Sequence, residues 1–293
     1  MSLNEEEINL ILKKPSLSSL SLDHVPLTQE SLSEICRNQN LMTFEVVACG
    51  LKSITREDFK AMSNRPRITT FRTDLTFNKD DLHLLETRSE MVILDLLNID
   101  LNDSDLESIG KIRSCHSMNL KGREITAAGI AHLKMMSSLK DLTLQEIIIT
   151  EELAKQLNTN FNMLGSIRLK LSRISLDQSQ AEMLTGLISG SGLILDNADL
   201  DDAAWEAFGA KQTFPILTLS NLNLSPAALE SLSQGTNTSL YRFIHVPLTE
   251  EHIPAIRKLA NKTIVMLSGI EITEELKQAL QKPGTRFPIK IQD

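Results

Sequence analysis

Apolar and polar positions along this chain follow two periods that succeed one another about every 24 residues. An apolar residue followed at once by Ser, Thr, Asn or Asp recurs twelve times: Leu3-Asn4, Leu27-Thr28, Ile54-Thr55, Phe77-Asn78, Leu101-Asn102, Ile125-Thr126, Ile149-Thr150, Ile174-Ser175, Leu200-Asp201, Leu224-Ser225, Leu248-Thr249 and Ile272-Thr273. The pairs lie 24, 27, 23, 24, 24, 24, 25, 26, 24, 24 and 24 residues apart, so the chain reads as one repeat array. Five and eight positions after each anchor, apolar residues tend to recur at helical spacing, as in Leu32 and Ile35, Leu106 and Ile109, and Trp205 and Phe208. Seven and five positions before it the period becomes two, as in Leu94-x-Leu96, Leu142-x-Leu144, Leu193-x-Leu195 and Tyr241-x-Phe243. One short strand and one short helix per repeat are predicted.

The second member of each pair is a residue whose side-chain oxygen can accept from an orphan amide in a first helical turn. Acids crowd the next positions, as in Thr150-Glu151-Glu152 and Thr273-Glu274-Glu275, where they complement the helix dipole, and Pro226 stands at a first helical position. Each pair therefore predicts a helix start. The third repeat is the exception in the strand frame, with Thr70 and Arg72 at positions expected to be apolar, unless a one-residue slip brings in Phe71 and Thr73.

The segment Leu139-x-x-Leu142-x-Leu144, continuing through Ile147-x-Ile149-Thr150 to Leu153 and Leu157, resembles the frame of leucine-rich repeat proteins. The resemblance extends from Leu3 to a last strand at Ile289-x-Ile291. It implies an α/β solenoid, a curved horseshoe with a concave parallel sheet and convex helices, of a divergent, helix-bearing, ribonuclease-inhibitor-like and bacterial-type subclass. The family's usual Asn, two residues before the anchor, is replaced by Val25, Leu75, Ile99, Ile147, Ala198, Leu222, Val246 and Ile270 in most repeats. The backbone groups that an Asn ladder would satisfy must find other partners. No Gly-, Pro- or Ser-rich linker interrupts the repeats, so residues 1–293 are read as one solenoid: a half-repeat helix cap over about 1–14, about eleven repeats over 15–281, and a C-terminal strand segment over 282–293.

Composition narrows the function. Hydrophobic residues make up 41% of the chain and aromatic ones only 4%, so the core is built from Leu and Ile. A formal charge of -8 and no Lys or Arg run longer than two argue against nucleic acid. No apolar stretch approaches a membrane span, and Glu5, Glu6 and Glu7 do not resemble the start of a secretory signal. Cys36, Cys49 and Cys115 have no metal-like spacing and read as buried hydrophobes in a reducing compartment. A cytoplasmic monomer is expected, or a protein passed into a host cell without a signal peptide.

Catalytic signatures are missing. The six histidines have no second ligand at metal spacing, and there is no phosphate-cradling glycine loop, no nucleophile elbow and no recognisable Cys and His pair. Acid pairs such as Asp80-Asp81 sit at helix starts, where capping explains them. The expectation is a non-enzymatic module with no cofactor and no metal. Its protein partner would rest on the concave face. The strand frame places Asp95, Asn119, Thr143, Arg168 and Arg242 in one outward set, with Ser21, Ala48, Ile194, Thr218 and Met266. Lys121, Gln145, Lys170 and Asp196 fall in a second, with Asp23, Gly50, Leu97, Ser220, Ile244 and Ser268. Lys121, Arg168, Lys170 and Arg242 would form a basic island for an acidic loop of the partner, unless the face is merely solvated. The alternative is an injected bacterial effector that uses the same face on a eukaryotic host protein.

Overall fold

The computed structural model describes residues 5–14, 16–65, 67–164, 167–185, 192–211, 214–235 and 238–292; the first anchor pair, Leu3-Asn4, lies outside them. The chain divides into two compact units, Met1–Leu142 and Thr143–Asp293.

In the first unit α1 (Glu5–Leu12), β1 (Ser21–Asp23), α2 (Gln29–Arg37), β2 (Thr43–Val47), α3 (Arg56–Ser63) and β3 (Thr70–Thr73) are followed by a 3-10 helix, Lys79–Leu85. Then come β4 (Ile93–Asn102), α4 (Asp103–Ile109), β5 (Ser117–Glu124), α5 (Ala127–His132) with a 3-10 turn, and the start of β6 (Asp141–Gln145). Successive strands from β1 to β5 pair in parallel with one another. In the second unit α6 (Glu151–Leu164), β7 (Arg168–Ser172), β8 (Ser175–Leu176), α7 (Gln178–Thr185), β9 (Gly192–Asp196), β10 (Asp199–Leu200), α8 (Asp202–Lys211) and β11 (Ile216–Ser220) follow. The unit closes with α9 (Pro226–Gln234), β12 (Leu240–Ile244), a 3-10 turn, α10 (Ile253–Ala260), β13 (Ile264–Ser268), α11 (Glu274–Gln281) and β14 (Ile289–Gln292). Here β7, β9, β11, β12, β13 and β14 form parallel neighbours in that order, and β8 pairs with β10 apart from them. Both units have the α/β architecture of a leucine-rich repeat solenoid.

The helix starts follow from the caps. Side chains of Thr28, Thr55, Asn78, Asn102, Thr126, Thr150, Asp201, Ser225 and Thr273 each accept from an amide two or three residues on. Thr249 works through His252: the Thr249 amide donates to Nδ1 and the ring's Nε2 donates to the Leu224 carbonyl, both at 2.9 Å. Ser175 is a correction. It belongs to β8, whose pairing with β10 extends the chain by two residues, so Asp177 caps α7 instead through a reciprocal box with Gln180. Phe77-Asn78 also opens a 3-10 helix rather than an α-helix.

Three repeats depart from the strand frame. In the third, Phe71 and Thr73 face inward opposite Leu94 and Leu96, and Arg72 faces out, so the one-residue slip is the observed register. In the second, Phe44 and Val46 are the inward pair, and Glu45 and Val47 rather than Ala48 and Gly50 point outward. The three extra residues of this 27-residue repeat lie after the strand, where Ala48 and Gly50 turn the chain with φ of 53° and 80°. In the repeat of Ile174 the inward pair beside Leu193 and Leu195 is Leu169 and Leu171, two residues later than the Ile167 and Leu169 of the frame. Elsewhere the inward positions stack as expected. Leu169, Leu193, Leu217, Tyr241, Val265 and Ile289 form one row of neighbours in the second unit, all buried. Each such side chain contributes about 1.5–3 kcal/mol by leaving water.

The missing Asn ladder is replaced by backbone. After most strands one residue adopts the left-handed conformation: His24, Ala48, Glu146, Arg173, Asn197, Asn221, His245 and Gly269 have φ of 49° to 59°. In this turn the amides of His24, Glu146, Arg173, Asn197, Asn221 and His245 donate to the last carbonyl of the neighbouring strand, at 2.9–3.1 Å. Ala48 donates to the Asp74 carboxylate instead, at 3.0 Å. A left-handed residue with a Cβ costs about 1–2 kcal/mol, whereas glycine loses about 0.4–1 kcal/mol through its freer unfolded chain. Ala48→Gly is therefore expected to raise stability by about 0.5–1 kcal/mol, read as a higher urea midpoint at unchanged slope; a lower midpoint would contradict the strain.

Polar groups in the first unit's helix layer are also organised by repeat. Arg56 and Lys79 reach forward to Asp81 and Asp105 of the following repeats, at 3.0 and 3.1 Å, and Asp103 accepts from the Thr126 amide at 2.7 Å. Arg65, fully buried, caps the end of α2 through the Ile35 carbonyl and lies over the Phe44 ring; burial lowers its guanidinium to about 10. The cysteines are free thiols inside the protein, as expected, and burial pushes Cys36 and Cys115 up to about 12. Thiols so far from ionising are poor nucleophiles.

Candidate functional site

Side chains on the sheet face away from the helices line up in rows, since parallel partners sit side by side about 4.8 Å apart. In the first unit one row runs Ser21, Glu45, Arg72, Asp95, Asn119. Its charges alternate and meet each other: Arg72 Nε lies 3.7 Å from Asp95. Burial raises the Asp95 carboxyl above its ordinary value, with Arg72 pulling it down and Glu45 pushing it up. Lys121 does not sit beside Leu97 as the strand frame implied. A bulge in β4 brings Asp100 opposite Lys121, and Nζ lies 3.3 Å from that carboxylate.

In the second unit Thr143 and Gln145 lie on β6, with Gln145 buried and accepting a hydrogen bond from the Arg173 guanidinium. The register places Lys170 beside Ile194, so the row runs Lys170, Ile194, Thr218, Arg242, Met266, Lys290. Arg168 thus precedes the row that contains Arg242, because the longer repeats after Ile149 shift the strand relative to the anchor. A second row runs Ser172, Asp196, Ser220, Ile244, Ser268, Gln292. Asp196 is the hub of a network: Lys170 Nζ at 2.8 Å, Asn221 Nδ2 at 2.7 Å and Ser172 Oγ at 3.0 Å all donate to it. Burial works to raise its carboxyl, but the hydrogen bonds from Lys170 and Asn221 and the lysine's charge outweigh that and hold it below the ordinary carboxylate value.

The charges expected to form a basic island thus divide into two kinds. Lys121 and Lys170 are each matched by a carboxylate. Arg242 is exposed, and among the described residues no carboxylate lies within ion-pair distance of it. Apolar side chains surround it. Beyond Ile194, Ile244 and Met266, which sequence reading placed on this face, a further row of Gly192, Ile216, Leu240 and Ile264 begins the same strands one position before the inward pair. Ile216 is 38% exposed, and Leu240 and Ile264 are half-buried. The signal for this row was present, since all three isoleucine and leucine residues stand eight positions before an anchor. A strand frame limited to positions between and after the core pair passes over them.

Groups able to hold a metal ion are absent among the described residues, and no described helix is long and apolar enough to cross a membrane. No protein-family model matches the chain, and no curated protein matches it. Solved structures do. An internalin, InlF, from Listeria monocytogenes is 17% identical, aligned over 98% of this chain and 94% of that one, with a TM-score of 0.43. TLR13 in a TLR13–ssRNA13 complex is 14% identical over 99% of this chain at a TM-score of 0.45, and this chain covers 47% of it, about half its length. The plant peptide hormone receptor RGFR1, solved with RGF2, is 11% identical over 95% of this chain and 70% of that one, at a TM-score of 0.24.

Proposed function

We propose that this leucine-rich repeat chain is a protein-binding module without catalytic activity, and that its partner rests on the helix-free face of the second unit's sheet. The observation that carries the reading is Arg242, exposed and unpaired among described residues, set within Ile194, Ile216, Leu240, Ile244, Ile264 and Met266 on adjoining rows. Contiguous exposed apolar surface marks contact sites, and an arginine in an apolar surround is a frequent energetic centre of interfaces because its charge is desolvated with its partner. The partner's complement is an apolar ridge carrying one carboxylate. Thr143, Gln145, Arg168, Lys170 and Asp196 supply the polar side of the contact, where paired charges set orientation more than affinity. Asp95, Asn119 and Lys121 offer polar contacts on the first unit's sheet.

Partners captured by crosslinking from eukaryotic and bacterial lysates in parallel, then purified, separate a host-directed effector from an internal scaffold. With the purified partner, Arg242→Glu is expected to weaken binding at least about tenfold, and Ile264→Glu comparably, while Arg168→Glu has a smaller effect. Unchanged affinity in both Arg242→Glu and Ile264→Glu would sink the site.

A further inference from the structure

Away from the sheet face, three successive helix-to-strand loops of the first unit border a shallow, open cleft of about 450 Å³. Its charged lining is Arg88, Lys111 and Arg113 against one carboxylate, Glu86, and the rest of the lining is Ser and Thr. The local balance is +2 on a chain of formal charge -8. We infer that this cleft binds a phosphate monoester as its dianion.

The alternative use of these cations is to offset the carbonyl ends of the short helices that precede the loops. Arg88 does serve that kind of role, since one Nη donates to the Arg65 carbonyl at 3.2 Å and the other to Thr87 Oγ1 at 2.7 Å. Its Nε is buried without a hydrogen-bond partner and out of a ligand's reach, so Arg88 contributes charge to the cleft rather than a free donor. Lys111 lies 3.1 Å from Glu86 and 3.8 Å from Glu107, a carboxylate outside the lining, so its ammonium is shared between two acids and its third hydrogen is open to a ligand. Arg113 is exposed, and among the described residues it has no carboxylate partner; its five donors are uncommitted to a side chain. The hydroxyls of Ser89, Ser137 and Ser138 are likewise unengaged with other described side chains. An excess of donors around a net charge of +2 fits a phosphate monoester, which carries about -1.5 to -2 near neutral pH and several strong acceptor oxygens. A single carboxylate matches neither the charge nor the number of donors. No aromatic side chain lines the cleft, so nothing there stacks a nucleobase.

The test titrates the full chain by calorimetry at low ionic strength with inorganic phosphate, with a short phosphoseryl peptide, and with the same peptide unphosphorylated. Saturable binding of phosphate or of the phosphopeptide, with a dissociation constant of order 1 mM or tighter, is expected; which of the two binds tighter distinguishes a free from a protein-borne phosphate. Arg113→Gln with Lys111→Gln should weaken it about tenfold or more, with the circular dichroism spectrum unchanged. No saturable binding of either, equal binding of the unphosphorylated peptide, or full binding by the double variant would overturn the proposal. Sheet-face variants such as Arg242→Glu should leave it unaltered.

Discussion

Gly209→Ala is expected to destabilise the second unit by about 2–3 kcal/mol, although the same change in an open helix interior would stabilise by about 1 kcal/mol. Gly209 lies on α8, nine residues after the anchor Leu200, where α8 passes closest to α9. A Cβ at this site would stand 2.4 Å from the Ser231 carbonyl oxygen, 2.5 Å from its carbon and 2.8 Å from the Leu232 nitrogen. All three atoms are backbone, so no rotamer change relieves the overlap and the helices must separate. Separation withdraws Trp205 and Phe208, both at most 2% exposed, from the apolar layer beneath. Gly110 occupies the same place after Leu101, and its Cβ would meet the His132 carbonyl at 2.5 Å. The control is Gly192→Ala on β9, where the nearest atom is 3.5 Å away and alanine's better strand propensity should add about 0.5 kcal/mol. Opposite shifts of the urea midpoint in the two variants are the expected result; a gain at Gly209 would mean that helix spacing there is not set by backbone contact.

How much of this was legible in the sequence depends on whether the deciding interaction is local. A cap needs only its own side chain and an amide two or three residues away, so Thr28, Asn102 and Ser225 could be recognised from the chain alone. The inward pairs of the regularly spaced repeats were equally open to reading, because one apolar face imposes a strict period of two; where the spacing changes, as before Ile54, Phe77 and Ile174, the frame slipped. Ser175 failed because Asp199–Leu200, a repeat away, draws the residue into a short strand. Glu45 was missed because three extra residues can lie before or after a strand without disturbing either apolar period. The candidate site was half visible: Arg242, Ile194 and Met266 followed from alternation, whereas the match of Lys170 to Asp196 required the register across two repeats. The left-handed ladder left no signal in residue type, since His, Ala, Glu, Arg, Asn and Gly all occupy it. Its partner, except at Ala48, is the neighbouring backbone, common to every sequence.

The third repeat, which looked like the weakest stretch of the array, is expected to be the most sensitive to truncation in the first unit: Phe71→Ala should cost about 3–5 kcal/mol. Its strand lies within the 23-residue spacing that follows the 27-residue one, and its helical segment is the 3-10 turn Lys79–Leu85. A 3-10 helix is narrower than an α-helix and presents fewer side chains inward per unit length, so larger side chains must fill the layer. Phenylalanines do so. Phe71 is fully buried at a centroid distance of 5.3 Å from Phe44, and meets Phe59 and Phe77 edge-on at 5.8 and 6.1 Å. Phe59 and Phe77 stack on one another at 4.4 Å. Ring pairs of this kind add about 0.5–1.5 kcal/mol beyond area, and one truncation breaks three of them. The same strand holds Arg72 against Asp95 on the opposite face, so the register that buries Phe71 also orders the polar row. Denaturant unfolding with hydrogen exchange at β2 to β4 reads both effects. A loss below about 1 kcal/mol would show that the neighbouring repeats collapse into the space and that the cluster is filler, not a keystone of the irregular repeat.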